Sequence, residues 1–163
     1  MLVHPLPPVW DRHCRVLILG SFPSVRSREE GFYYGHPQNR FWKLLAAIWD
    51  EPVPGSKEDK IAFLLSHRLA LWDVIASCEI TGSADSSIQS VVANDISPIL
   101  SASEVRYIVT NGKAASTHYQ KFCSPSTVPL QHIALPSTSP ANAAWNMQRL
   151  LASWQILRDL SEE

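Results

Sequence analysis

Arg15-Val16-Leu17-Ile18-Leu19-Gly20, followed at once by Ser21-Phe22-Pro23-Ser24, is a short apolar run that stops at a glycine. Apolar residues without polar alternation suit a strand covered on both faces, as in a parallel sheet between helices. Similar runs return at Leu69-Ala70-Leu71-Trp72-Asp73-Val74, Val105-Arg106-Tyr107-Ile108-Val109-Thr110 and Gln131-His132-Ile133-Ala134-Leu135. Helical patterns lie between them: Phe41 to Trp49, Lys57 to His67 beyond the breakers Pro52, Pro54 and Gly55, Asp95 to Leu100, and Lys113 to Phe122 after an Asn111-Gly112 turn. Ala141 to Leu160 reads as one long closing helix. Strands alternating with helices predict an α/β fold, a three-layer α/β/α arrangement around a central four-stranded parallel sheet. At 163 residues with 45% hydrophobic composition, one domain spanning 1–163 is expected.

In such sheets ligands bind beyond the carboxyl ends of the strands. That rule gathers Gly20 to Ser24, Trp72-Asp73, Asn111-Gly112 and Pro136-Ser137-Thr138-Ser139-Pro140 around one crevice. A further segment, Gly31-Phe32-Tyr33-Tyr34-Gly35-His36-Pro37-Gln38-Asn39-Arg40-Phe41-Trp42, concentrates aromatic, small and amide side chains in a turn that opens a helix. Proline fixes its own φ and biases His36 towards extended geometry, so Asn39 arrives at a defined angle near the helix start. Two readings suit it: a grip on a flat ring beside a placed water, or a helix cap among core aromatics.

Composition narrows the function classes. The net charge of −1 gives no global field for a polyanion, so a nucleic-acid role needs a local basic face. Arg12, Arg15, Arg26, Arg28, Arg40 and Lys43 form one block, with Lys113, His118 and Lys121 further on. Cys14, Cys78 and Cys123 are widely spaced, without a CxxC pair, so neither zinc nor iron–sulfur ligation is expected, and no metal or cofactor is implied. With no signal peptide and no long apolar run, the expected compartment is a reducing cytoplasm, with no membrane association. Walker and dinucleotide glycine motifs are absent, as is the Gly-x-Ser-x-Gly of serine hydrolases. His36 and His132 read as structural hydrogen-bonding histidines, and the serine-rich connection from Ser77 to Ser90 as a functional loop or covering flap.

Three of these pieces, Gly20-Ser21-Phe22-Pro23-Ser24, Tyr34-Gly35-His36-Pro37-Gln38-Asn39-Arg40-Phe41-Trp42 and Leu135-Pro136-Ser137-Thr138-Ser139-Pro140-Ala141-Asn142, together resemble the uracil-DNA glycosylase superfamily. The middle piece looks like the mismatch-specific branch, and the first and last look most like the hypoxanthine-DNA glycosylases. Phe22 stands where other branches place a water-orienting Asp or Asn, and Leu135 where the best-known branch places a His that stabilises the departing uracil anion. The resemblance therefore implies water-mediated, monofunctional hydrolysis of the N-glycosidic bond of a flipped deaminated base, hypoxanthine first. Asn39 is the implied catalytic residue, its amide oxygen orienting a water towards C1′. Gly20, Ser21, Phe22, Pro23, Tyr33, Tyr34, His36 and Asn111 are implied to bind the base, with Phe22, Tyr33 and Tyr34 as stacking platforms. Ser24, Arg40, Lys113, Ser137, Thr138, Ser139, Pro140 and Asn142 are implied to bind DNA, and Ser139 and Pro140 also suit a helix N-cap and first turn. No lysine sits inside a motif, so lyase chemistry is not expected. The expected partner is double-stranded DNA carrying a deaminated base, met by a monomer. A mismatch-specific uracil or thymine glycosylase and a non-catalytic nucleic-acid-binding α/β domain are the alternatives.

Overall fold

The computed structural model describes residues 1–79, 88–123 and 129–163. In chain order the elements are β1 (Leu2–Val3), β2 (Val16–Gly20), α1 (Val25–Glu30), α2 (Phe41–Trp49), α3 (Lys57–Ser66), β3 (Leu69–Asp73), β4 (Ile75–Glu79), β5 (Gln89–Ala93), α4 (Ser97–Ala102), β6 (Tyr107–Asn111), α5 (Lys113–Phe122), β7 (Gln131–Leu135), α6 (Met147–Trp154) and α7 (Ile156–Glu162). Strands β3, β2, β6 and β7 lie side by side in that order, and every neighbouring pair is parallel. The four-stranded parallel sheet expected from the apolar runs is therefore present.

Alternation along β2 divides the core. Val16 and Ile18 face α2, α3, α6 and α7, where Phe41, Leu45, Leu64, Leu150 and Trp154 are buried with them. Leu17 and Leu19 face the opposite layer with Ile99 and Leu100 of α4 and Tyr119 of α5. Burying each large apolar side chain contributes roughly 1.5–3 kcal/mol, so the broad apolar stripe of α2 is a principal hold on the sheet.

A second sheet was not foreseen. β1, β4 and β5 form an antiparallel ribbon in which Leu2 pairs with Cys78 and Val3 with Ser77. The ends of the Ser77–Ser90 connection thus belong to strands, while residues 80–87, the centre of the expected flap, lie outside the described residues. The ribbon fixes the N-terminal segment to β4, where the His4 N–H donates to the Ala76 carbonyl at 2.7 Å.

The expected closing helix is shorter than Ala141 to Leu160. It begins at Met147, capped by Asn146, whose side chain accepts from the Arg149 N–H, and passes from α6 to α7 at Gln155. Residues 139–146 are held as turns, since the carbonyls of Ser139, Asn142 and Trp145 accept from Arg40. Ser139 accordingly does not cap a long helix: its Oγ accepts the Ala141 N–H in a local turn at 3.1 Å.

Candidate active site

The carboxyl ends of β2, β3 and β6 open into a crevice of about 120 Å³, and loops following β2 and β7 close its rim. Ser24 caps α1 through the Ser27 N–H at 3.1 Å, and Ser27 Oγ accepts the Gly35 N–H at 2.9 Å, which ties the 31–39 turn to this rim. The same turn is braced from below by Trp42, whose Nε1 donates to the Tyr33 carbonyl at 3.1 Å. Tyr34 adopts φ 55°, a left-handed conformation that costs a bulky residue on the order of 1–2 kcal/mol. Stacking of its ring on Phe41, with centroids 4.1 Å apart, holds it there.

One wall is a chain of uncharged hydrogen bonds. Asn111 grips Thr138 twice, accepting the Thr138 N–H at 3.1 Å and donating from Nδ2 to Oγ1 at 3.1 Å. The Thr138 hydroxyl donates onward to Asn39 Oδ1 at 2.8 Å, and the Phe41 N–H donates to that same oxygen at 3.0 Å. Both donors fix the amide's orientation. Asn39 Oδ1 is thus occupied, and among the described residues the Nδ2 end has no partner. The oxygen satisfies the first N–H of α2 while the residue lines the crevice, an arrangement compatible with either reading of Asn39.

Arg40 builds the loop behind that wall. Its guanidinium donates to the carbonyls of Thr138 (3.3 Å), Ser139 (2.8 Å), Asn142 (3.3 Å) and Trp145. The guanidinium expected to meet DNA serves as an internal clamp, with four of its five N–H donors on turn carbonyls. Asn142 is likewise turned inward, donating to the Ser137 carbonyl at 3.1 Å. Gly112, at φ 99°, lets α5 start against this loop, for a Cβ there would lie 2.9 Å from the Ser137 Cβ.

The floor is charged. Asp73, at the end of β3, is 3% exposed and accepts from His4 Nε2 at 2.7 Å. Next to it the buried Tyr33 hydroxyl donates to the Pro7 carbonyl at 2.8 Å, and burial, with a smaller contribution from Asp73, pushes its pKa well above the ordinary tyrosine range. Phe22 lines the crevice with its ring set edge-on to His4 and under the Arg28 guanidinium, 5.6 Å from the ring centroid.

Of the base-binding candidates, Gly20, Ser21, Phe22, Pro23, Tyr33, Tyr34 and Asn111 meet at the crevice, as do Ser24, Asn39, Ser137, Thr138 and Ser139. His36 does not: its Nδ1 accepts the Gln38 N–H at 3.1 Å and it shapes the turn from outside. Lys113 and Asn142 line a neighbouring open depression with Trp145, which carries Arg149 over its ring at 4.1 Å. Pro140 lines neither hollow. Sequence reading placed Asp73 at the crevice without a role and missed His4 and Ser27. Nothing local marks His4, whose partner stands 69 residues away.

Comparison with known proteins agrees with this geometry. A model of the "Uracil DNA glycosylase superfamily" matches residues 7–161. A protein of Methanosarcina acetivorans named Hypoxanthine DNA glycosylase is 34% identical over 91% of this chain and 94% of its own. A Methanosarcina barkeri protein of the same name is 32% identical over 69% of this chain and 72% of its own. A solution NMR structure from Methanosarcina acetivorans, described as a proposed uracil DNA glycosylase, superposes with a TM-score of 0.82 at 32% identity, covering 98% of this chain and 99% of that one. The match across nearly the whole chain, together with the sheet order and the crevice at the strand ends, shows that this protein belongs to the uracil DNA glycosylase superfamily.

Proposed function

We propose that this protein is a monofunctional DNA glycosylase that hydrolyses the N-glycosidic bond of a flipped deaminated nucleotide in duplex DNA, with deoxyinosine as its principal substrate. The Asn111–Thr138–Asn39 chain is the observation that carries the reading. Breaking the C1′–N9 bond sends its electron pair to the base and leaves positive charge on the sugar. A site for this chemistry needs a held water and fixed hydrogen-bond donors, and needs no strong acid. Asn39 suits the first need through Nδ2 rather than through the oxygen, which Phe41 and Thr138 occupy. A water held through its oxygen by Nδ2 keeps a second lone pair for C1′; it adds there, and its released proton balances the one the departing base takes up. Orientation of this kind needs an amide that cannot turn, and the two donors on Oδ1 supply that.

The names carried by the two Methanosarcina relatives support the choice of hypoxanthine. The crevice beside the Lys113 and Trp145 depression suits a base entering the crevice while its backbone lies across the neighbouring surface. The working form on this reading is one domain and a monomer in the reducing cytoplasm, in keeping with the free Cys14, Cys78 and Cys123. Among the described residues, no helix is long and apolar enough to cross a membrane.

The test is base release from matched duplexes carrying one deoxyinosine or one deoxyuridine, by wild type and Asn39→Ala, with abasic sites revealed by alkali. Inosine-selective release that the variant loses is the expected result. Uracil-selective release would assign the protein to a mismatch-directed uracil or thymine activity, and release of neither would leave a binding domain.

A further inference from the structure

The floor of the crevice holds a buried ionic group that the hydrolysis above does not use. Asp73 Oδ2 accepts from His4 Nε2 at 2.7 Å, and both side chains are 4% exposed. A third atom decides which partner donates. The Leu6 N–H donates to His4 Nδ1 at 3.2 Å, so Nδ1 bears no proton and the imidazole's one proton sits on Nε2. His4 then donates through Nε2, and Asp73 Oδ2 is the acceptor of that bond. A buried carboxyl satisfied at one oxygen leaves the other in need of a partner.

The second carboxylate oxygen marks where that something arrives. Asp73 Oδ1 lies over Gly20, where an added Cβ would stand only 2.4 Å away, and both residues line the crevice. Gly20 is thus the residue that lets the carboxylate reach the open space. The dyad is fixed on its other sides, since the His4 ring meets Phe22 and Trp72 edge-on at 5.8 and 6.5 Å and the Asp73 carbonyl accepts from Asn94 Nδ2 at 2.9 Å.

We infer, on the glycosylase reading above, that Asp73 reads the flipped base by accepting a ring N–H at Oδ1, with His4 as its positioning residue. A carboxylate offers only acceptors, so it matches the N1–H of hypoxanthine and opposes the bare N1 of adenine. Deamination of adenine changes that nitrogen from acceptor to donor. A deep acceptor therefore distinguishes the damaged base from the undamaged one at the atom where they differ in protonation. Depth favours the base over the sugar as its target, because Asp73 is buried beneath the crevice whereas Asn39 stands at the partly exposed wall.

Deoxynebularine, which lacks the N1 proton and O6 but adds no bulk, provides the probe. In Asp73→Asn the amide oxygen must face the His4 Nε2–H, which turns the NH2 to the crevice and converts acceptor to donor. Single-turnover release is measured for wild type and Asp73→Asn, full-length, on duplexes carrying one deoxyinosine or one deoxynebularine. Wild type is expected to favour deoxyinosine by about 100-fold or more, as when a substrate leaves a buried polar group unpaired. Asp73→Asn is expected to narrow that ratio by about tenfold or more, slowing inosine while quickening nebularine. Equal slowing on both substrates, with the ratio unchanged, overturns the inference and leaves Asp73 a structural role. If the variant does not fold, wild type decides: release of purine from deoxynebularine as fast as hypoxanthine from deoxyinosine overturns it. Wild type releasing nothing from deoxyinosine overturns the glycosylase reading itself, so the two failures are told apart.

Discussion

The two sides of the crevice are made of opposite chemistry. At the floor, the acid–imidazole pair Asp73 and His4 is buried, each side chain 4% exposed; along the wall, Asn39, Thr138 and Asn111 are joined by bonds between uncharged groups. An ionised acceptor is costly to bury and sharply selective about what meets it. A neutral amide network costs little to bury once every partner is supplied, and it holds a direction well. On the proposed reading the floor is the side that decides which base is accepted, and the wall the side that decides how fast the bond breaks. Substitutions on the two sides should therefore separate rate from choice.

The largest expected effect belongs to the wall. Asn39→Ala should slow single-turnover hypoxanthine release by about 10²–10³-fold, the usual loss when one fixed hydrogen-bonding group is removed from a reacting centre. Because the floor is untouched, the ratio of inosine to nebularine release should stay at its wild-type value. A changed ratio would show that Asn39 also reads the base, which would erase the division between the two sides.

Gly20→Ala should act on the floor. The new Cβ would meet Asp73 Oδ1 at 2.4 Å, and that oxygen cannot retreat freely while Oδ2 is held by His4. Overpacking of this kind costs about 1–3 kcal/mol, measurable as a lower urea midpoint. Preference for inosine should fall with it, in the direction of Asp73→Asn. A variant as stable and as selective as wild type would mean that the carboxylate is looser than its contacts indicate.

Thr138→Val removes the link between Asn111 and Asn39, leaving Asn111 Nδ2 without its partner and Asn39 Oδ1 with the Phe41 N–H as its one remaining donor. Thr138 is fully buried, so a loss of about 1–3 kcal/mol in stability is expected, with roughly a tenfold slower release as Asn39 gains freedom to turn. Thr138→Ser should restore most of both, since the hydroxyl returns. Failure of serine to restore the rate, with stability recovered, would shift the importance of this position from the hydroxyl to the methyl.

How far these features were legible in the sequence follows from how local their causes are. The four parallel strands are written as consecutive apolar residues, and α2 came out from Phe41 to Trp49 because its apolar stripe and its entry turn are both local. Asn39 and Ser137 to Ser139 were legible through their motifs, and Asp73 only as a strand end at the crevice. What escaped depends on pairing across distance. β1 is two residues long and acquires strand geometry from β4, and His4 matters because that pairing carries it to Asp73. Arg40 was read as a DNA contact because its charge is visible in the sequence, while the carbonyls that absorb it belong to residues 138–145 and accept only in the folded loop. The long closing helix failed for the same reason, as carbonyls that converge on one guanidinium cannot all point along a helix axis.

The smallest expected effect belongs to a histidine on neither side of the crevice, and it bounds the comparison. His132 on β7 bonds the buried Thr110 hydroxyl at 2.9 Å, and burial lowers its pKa from the ordinary 6.5. A depressed histidine binds its proton more readily in the unfolded chain than in the folded one. Stability is therefore level above the unfolded value and declines as pH falls through it, until the folded group is protonated as well. The urea midpoint should drop modestly between about pH 7 and about pH 5, and His132→Gln, which keeps a hydrogen-bonding group for Thr110, should flatten that part of the slope. At about pH 7.5 the variant should release hypoxanthine at the wild-type rate and keep the wild-type preference for inosine over nebularine. A change in either would mean that the sheet beneath the crevice, and not only its floor and wall, sets the chemistry.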